Sequence, residues 1–173
     1  MRRTATTDEL YFVTLTVTDW VDVFTRRIYN DFIIQNLKYC QQNKKLNIYA
    51  YVLMTNHLHM VANVEEGSLS DILRDFKTFT SKELIKLIVD NPTESRRSWL
   101  LNAFEFSGKR NPLNKNHQFW QNGNHPVLLY SNDVIQQKID YIHDNPVRAG
   151  FVGSAHEYWY SSANPESPLE IIY

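Results

Sequence analysis

The chain has 173 residues, 43% hydrophobic and 21% charged, with a formal net charge of −1, the balance of a globular chain able to bury a core. A single cysteine excludes a disulfide framework or a cysteine-rich zinc site. No apolar run reaches the roughly 20 residues of a membrane span, and Met1-Arg2-Arg3-Thr4 lacks the apolar stretch of a secretion signal. A cytoplasmic protein without membrane contact is expected, as one domain over residues 1–173, with its core at about 8–152 and an extension at 153–173. Charge is unevenly spread: Arg74 to Lys115 holds nine Lys/Arg against five Asp/Glu. That segment suits a short structured DNA site, or equally a solvated helix face.

In chain order, Tyr11 to Val17 alternates. Tyr11, Val13, Leu15 and Val17 share one face, and Phe12, Thr14 and Thr16 the other, as in a half-buried strand. Arg27 to Gln41 sets Tyr29, Ile33, Leu37 and Cys40 on one helical face, which makes Cys40 a buried thiol. Asn47 to Met54 reads as a strand with Ile48, Ala50, Val52 and Met54 opposed to Tyr49, Tyr51 and Leu53. Thr55-Asn56 turns it into an antiparallel strand His57 to Val64. There Leu58, Met60, Ala62 and Val64 form the apolar face, and His57, His59, Val61 and Asn63 the other.

Ser68 is expected to cap a helix with Leu69, Ile72, Leu73, Phe76 and Phe79 as its stripe. The stripe shifts near Thr80-Ser81, where a kink or break is expected, and resumes at Leu84, Leu87 and Ile88 before an end at Asn91-Pro92. A short helix is expected over Glu94 to Phe106, then a loop over Ser107 to Asn116, rich in Gly, Asn, Pro and charge. His117 to Tyr130 reads as interrupted strand, and Ser131 caps a helix stopped near Asn145 by Pro146. This order is that of an α+β ferredoxin-like sandwich with an antiparallel sheet. Two helices would cover the apolar sheet face, leaving the histidine face for a site.

His57 and His59 flank one residue, so both imidazoles emerge on one side of the strand. Their Cα atoms lie about 6.5–7 Å apart, a spacing that lets both rings meet one divalent metal. His-apolar-His occurs often by chance and needs further partners. In the last helix Ile135, Ile139 and Ile142 make the packing stripe. Tyr141 points about 130° away from its centre, sharing a face with Lys138 and Asn145. A tyrosine there is a candidate functional group or an ordinary surface residue. His143 lies about 160° around from Tyr141 and is not expected at the same metal. His117, His125 and His156 read as surface or structural; Trp120 and Trp159 read as core or edge residues, with base stacking as the alternative.

His57-Leu58-His59 followed by Tyr141-Ile142-His143-Asp144-Asn145-Pro146-Val147-Arg148-Ala149-Gly150 resembles the single-tyrosine HUH transposases, among them the REP-associated tyrosine transposase branch. The resemblance extends to Tyr51-Val52-Leu53-Met54-Thr55-Asn56-His57, Phe76-Lys77-Thr78-Phe79-Thr80-Ser81-Lys82 and Phe119-Trp120-Gln121, and spans Leu46 to Val152. It implies an HUH endonuclease-type sandwich with the active-site helix on the open sheet face. It also implies Tyr141 as nucleophile, with His57, His59 and Asn145 holding Mg²⁺ or Mn²⁺. The chemistry implied is metal-dependent cleavage and rejoining of single-stranded or hairpin DNA through a 5′-phosphotyrosine bond, by a monomer or homodimer. Lys82, Arg110, Lys138 and Arg148 are candidate DNA contacts. Two other readings remain: a domesticated hairpin-binding protein without cleavage, and an unrelated metal hydrolase using His57 and His59 with a carboxylate.

Overall fold

A computed structural model describes residues 9–113 and 116–173; the Met1–Thr4 terminus and the middle of the expected 107–116 loop lie outside them. The strands are β1 (Leu10–Thr16), β2 (Leu46–Leu53), β3 (His57–Val64) and β4 (Val127–Leu129). The helices are α1 (Arg27–Lys44), α2 (Leu69–Asp90), α3 (Arg97–Arg110) and α4 (Asn132–Arg148). The strands form one antiparallel sheet in the order β2-β3-β1-β4. This is the expected α+β sandwich.

One sheet face carries the main core. Tyr11, Val13 and Leu15 of β1 and Leu58, Met60, Ala62 and Val64 of β3 pack there with the buried stripe Tyr29, Ile33, Leu37 and Cys40 of α1. Leu69, Leu73, Phe76, Leu84 and Ile88 of α2 and Leu100 and Phe104 of α3 complete that layer. The opposite face is covered in part by α4, through Val134, Ile135, Ile139 and Ile142 against Phe12, Ala50, Val52, Met54, Val61 and Leu129. The open-face helix is therefore where the family resemblance implied it.

The strict alternation expected in β2 fails at one point. Ile48 pairs with Ala62 but Ala50 pairs with Val61, so Tyr49 is the extra residue of a β-bulge. Before it Leu46 and Ile48 face the main core; after it Tyr51 and Leu53 do, and Ala50, Val52 and Met54 turn to α4. Nor does α2 kink at Thr80: the helix is continuous, its buried hydroxyl donating to Phe76 O (2.7 Å) and accepting from Trp120 Nε1 (3.0 Å). Satisfied polar demand holds the helix where the apolar stripe lapses. Trp120 is accordingly a core residue. α3 runs on to Arg110 through the first four residues of the expected loop, and the strand material after His117 reduces to β4 and an isolated Val17–Trp120 bridge.

α4 does not stop at Asn145. Ser131 caps it, its hydroxyl accepting from Val134 N at 3.3 Å, and Pro146 sits inside the helix. Proline removes one donor, but Pro146 is buried one turn after Ile142, and that burial offsets the loss. The C-terminal segment lies along the outer edge of β2. Leu53 N–H donates to Tyr160 O and Ser162 N–H to Tyr51 O (both 2.9 Å), and Tyr158 Oη donates to Leu53 O (2.9 Å).

Candidate active site

β1 and β3 supply the floor. Their register sets Thr14 opposite His59 and Thr16 opposite His57, and the pleat turns all four to the α4 side. The imidazole centroids are 4.6 Å apart. Each Nδ1 is engaged: that of His57 with Asn56 Oδ1 at 2.7 Å, that of His59 with Thr14 Oγ1 at 2.9 Å. An amide oxygen only accepts, so His57 carries its proton on Nδ1 and keeps the Nε2 lone pair free. Such a partner orients an imidazole before a ligand arrives.

Tyr141, 37% exposed, reaches over this floor from α4. Its ring lies 5.4 Å from that of His59 and 6.0 Å from that of Phe12, which in turn stacks on His59 at 5.2 Å. Two cations attend it: the Arg148 guanidinium 4.5 Å from its ring centroid and Lys138 Nζ at 5.7 Å, the latter also 4.7 Å from Phe12. His59 is 7% exposed, and burial pushes its pKa down to about 3, helped by the charges of His57, Lys138 and Arg148. Burial lowers His57 as well, against the pull of Asp22. Both rings are therefore neutral donors near neutral pH.

The structure thus brings together His57, His59, Tyr141, Lys138 and Arg148. Asn145 is half-buried one turn after Tyr141, and its side-chain amide makes no hydrogen bond among the described residues. Among those residues no three His, Cys, Asp or Glu side chains cluster to hold a metal; the donors brought together are the two neutral imidazoles. Lys82 and Arg110 lie elsewhere. Lys82 is exposed on α2, across the sheet from the histidines. Arg110 ends α3, bound to Asp19 Oδ2 at 2.5 Å and stacked on Phe106 at 4.6 Å. His143 bonds Ser162 Oγ at 2.8 Å and belongs to the tail contact. His117, His125 and His156 are exposed.

Sequence reasoning passes over four neighbours of the site. Thr14 and Phe12 are readable from strand parity, being on the expected face of β1. Asn56 is readable only as a turn residue. Trp20 has no periodic signal: it follows β1 in a 3-10 turn, 58% exposed, with its ring edge-on to His57 at 5.8 Å.

No helix among the described residues is long and apolar enough to cross a membrane. No curated protein matches the chain. A solved structure described as "Structure of the REP associates tyrosine transposase bound to a REP hairpin" shares the fold, with a TM-score of 0.63 and 18% identity over 94% of this chain and 81% of that one. The sequence model of the family described as "Transposase IS200 like" matches residues 9–100, a stretch that includes both histidines and ends before Tyr141 and Asn145. The chain belongs to the IS200-like transposase family.

Proposed function

We infer that this chain is a metal-dependent single-tyrosine transposase that cuts and rejoins single-stranded or hairpin DNA. The observation that carries the reading is the 5.4 Å approach of the Tyr141 ring to His59, between a helix and a sheet face that family membership alone does not bring together. The REP hairpin held by the structural neighbour supports hairpin DNA as the partner. Residues 153–173 would extend one functional unit.

His57, His59 and Asn145 would hold Mg²⁺ or Mn²⁺, a fit supported by two neutral imidazoles with oriented Nδ1 atoms and a free amide. Such an ion supplies Lewis-acid polarisation of the scissile phosphate. Tyr141 Oη attacks phosphorus and bonds the 5′-phosphate as the P–O3′ bond breaks, the proton lost by the phenol ending on the leaving 3′-oxygen; the 3′-hydroxyl so formed can reverse the exchange without an energy source. Lys138 and Arg148 stand over the Tyr141 ring, where their charges can meet the phosphate oxygens as the phosphorus is attacked. These two cations are the proposed phosphate contacts at the scissile step. Lys82 and Arg110 serve the reading only for DNA beyond that phosphate.

The test is incubation of labelled hairpin DNA bearing single-stranded flanks with the protein and Mn²⁺. A denaturation-resistant adduct at Tyr141 is expected, lost in Tyr141→Phe with hairpin binding retained. Adduct formation by Tyr141→Phe would sink the assignment; binding without any adduct in the native chain would favour a domesticated hairpin-binding protein.

A further inference from the structure

The segment joining β1 to α1 carries two successive non-glycine residues with positive φ, Asp19 at 50° and Trp20 at 55°. That backbone is sparsely populated for side chains of any bulk and persists only where its surroundings enforce it. The enforcement is visible. The Asp19 carboxylate accepts from Ser107 Oγ at 2.7 Å and from Arg110 at 2.5 Å. Trp20 N–H donates to Val17 O at 3.1 Å, and Trp20 O accepts from Asn56 Nδ2 at 3.4 Å.

The ring so placed does no packing that explains the cost. Trp20 is 58% exposed, and no residue of either apolar cluster includes it. Its ring meets that of His57 at 5.8 Å, and the two residues share Asn56, which binds the carbonyl of one and the Nδ1 of the other. A flat indole is thus held out to solvent beside one imidazole of the site.

We propose that Trp20 is a base-stacking platform that receives the unpaired nucleobase next to the scissile phosphate, with Asp19 and Arg110 as the residues that position it. This rests on the DNA-cleaving reading of the same site. Stacking suits that ligand because every base has a π-face, and an aromatic already held in place loses little freedom on binding. The platform adds grip on single-stranded DNA without taking part in the chemistry, so it acts on affinity and strand register.

The native chain is mixed with hairpin DNA whose single-stranded flanks are randomised and carry 5-iodo-deoxyuridine. It is then irradiated, and the crosslinked peptides are mapped. Crosslinks at Trp20 are expected. Trp20→Leu, which keeps apolar bulk against His57 but has no π-face, should weaken DNA binding about tenfold, and Trp20→Phe should stay within about threefold of native. Mn²⁺ affinity and melting temperature should be unchanged in both. If no crosslink maps to Trp20 while the Tyr141 adduct still forms, the platform is overturned and the cleavage reading stands, and native-like DNA binding by a folded Trp20→Leu would overturn it equally. If the native chain neither binds these hairpins nor forms the adduct, both fall. Crosslink mapping uses the native chain, so it decides the matter even if Trp20→Leu does not fold.

Discussion

At His59 an imidazolium would lose hydration beneath Phe12 and Tyr141 and face the charges of His57, Lys138 and Arg148, which is why its pKa falls from 6.5 to about 3. Below pH 6.5 the unfolded chain takes up a proton that the folded chain refuses. The stability tied to this residue is therefore complete above 6.5 and drains away as pH falls toward 3. The same neutrality should keep Mn²⁺ affinity nearly flat from pH 8 to pH 6, measured calorimetrically. Phe12→Ala, by wetting the ring, should make it fall across that range. Arg148→Ala should slow adduct formation about tenfold, since it removes a cation beside the nucleophile that can meet the charge of the attacked phosphate. An unchanged single-turnover rate would refute that role. The histidine pair, Thr14 and Phe12 are readable in the sequence because β1 and β3 are regular strands, where parity alone assigns a face. Trp20 is not, because its exposure follows from two left-handed residues enforced by Ser107 and Arg110, nearly ninety positions away.

The elements divide in the same way. α1 and α2 announce themselves by long apolar stripes and, for α2, by the Ser68 cap, because a helix on a core repeats its burial every 3.6 residues. The continuity of α2 at Thr80 depends on Trp120 forty residues on, and the extra turn of α4 on burying Pro146, so neither boundary is a local property. Ser131→Ala should cost about 1 kcal/mol in urea unfolding by removing the cap of the tyrosine-bearing helix. The tail has a different task. β2 ends the sheet, and residues 158–162 cover its free edge with main-chain bonds at Tyr51 and Leu53. Truncation before Tyr158 would bare that edge, and light scattering should register self-association; a truncated chain that stays monodisperse would argue against it.

Across the whole molecule, one buried carboxylate ties distant parts of the chain. Glu94, whose side chain is fully buried, binds Arg26 and Tyr29 at the start of α1 and Arg96 at the start of α3. Burial alone would raise its pKa, but the hydrogen bonds from Arg26, Arg96 and Tyr29 overcome it and hold it at about 2. Its contribution is present above the ordinary 4.5 and lost as pH falls through 2. Glu94→Gln should cost roughly 2–3 kcal/mol at pH 7 and much less near pH 2, read from paired unfolding curves. The sandwich is legible in the sequence as an order of elements; the way the sheet meets α4 is not, since it turns on the bulge at Tyr49. That single extra residue hands the α4 side of β2 to Ala50, fully buried in the same cluster as Ile142. Its methyl group is the smallest side chain in the seam between the helix carrying Tyr141 and the sheet carrying the histidines. Enlarging it would prise nucleophile and imidazoles apart with every one of them intact, a way to disarm the protein without touching its chemistry.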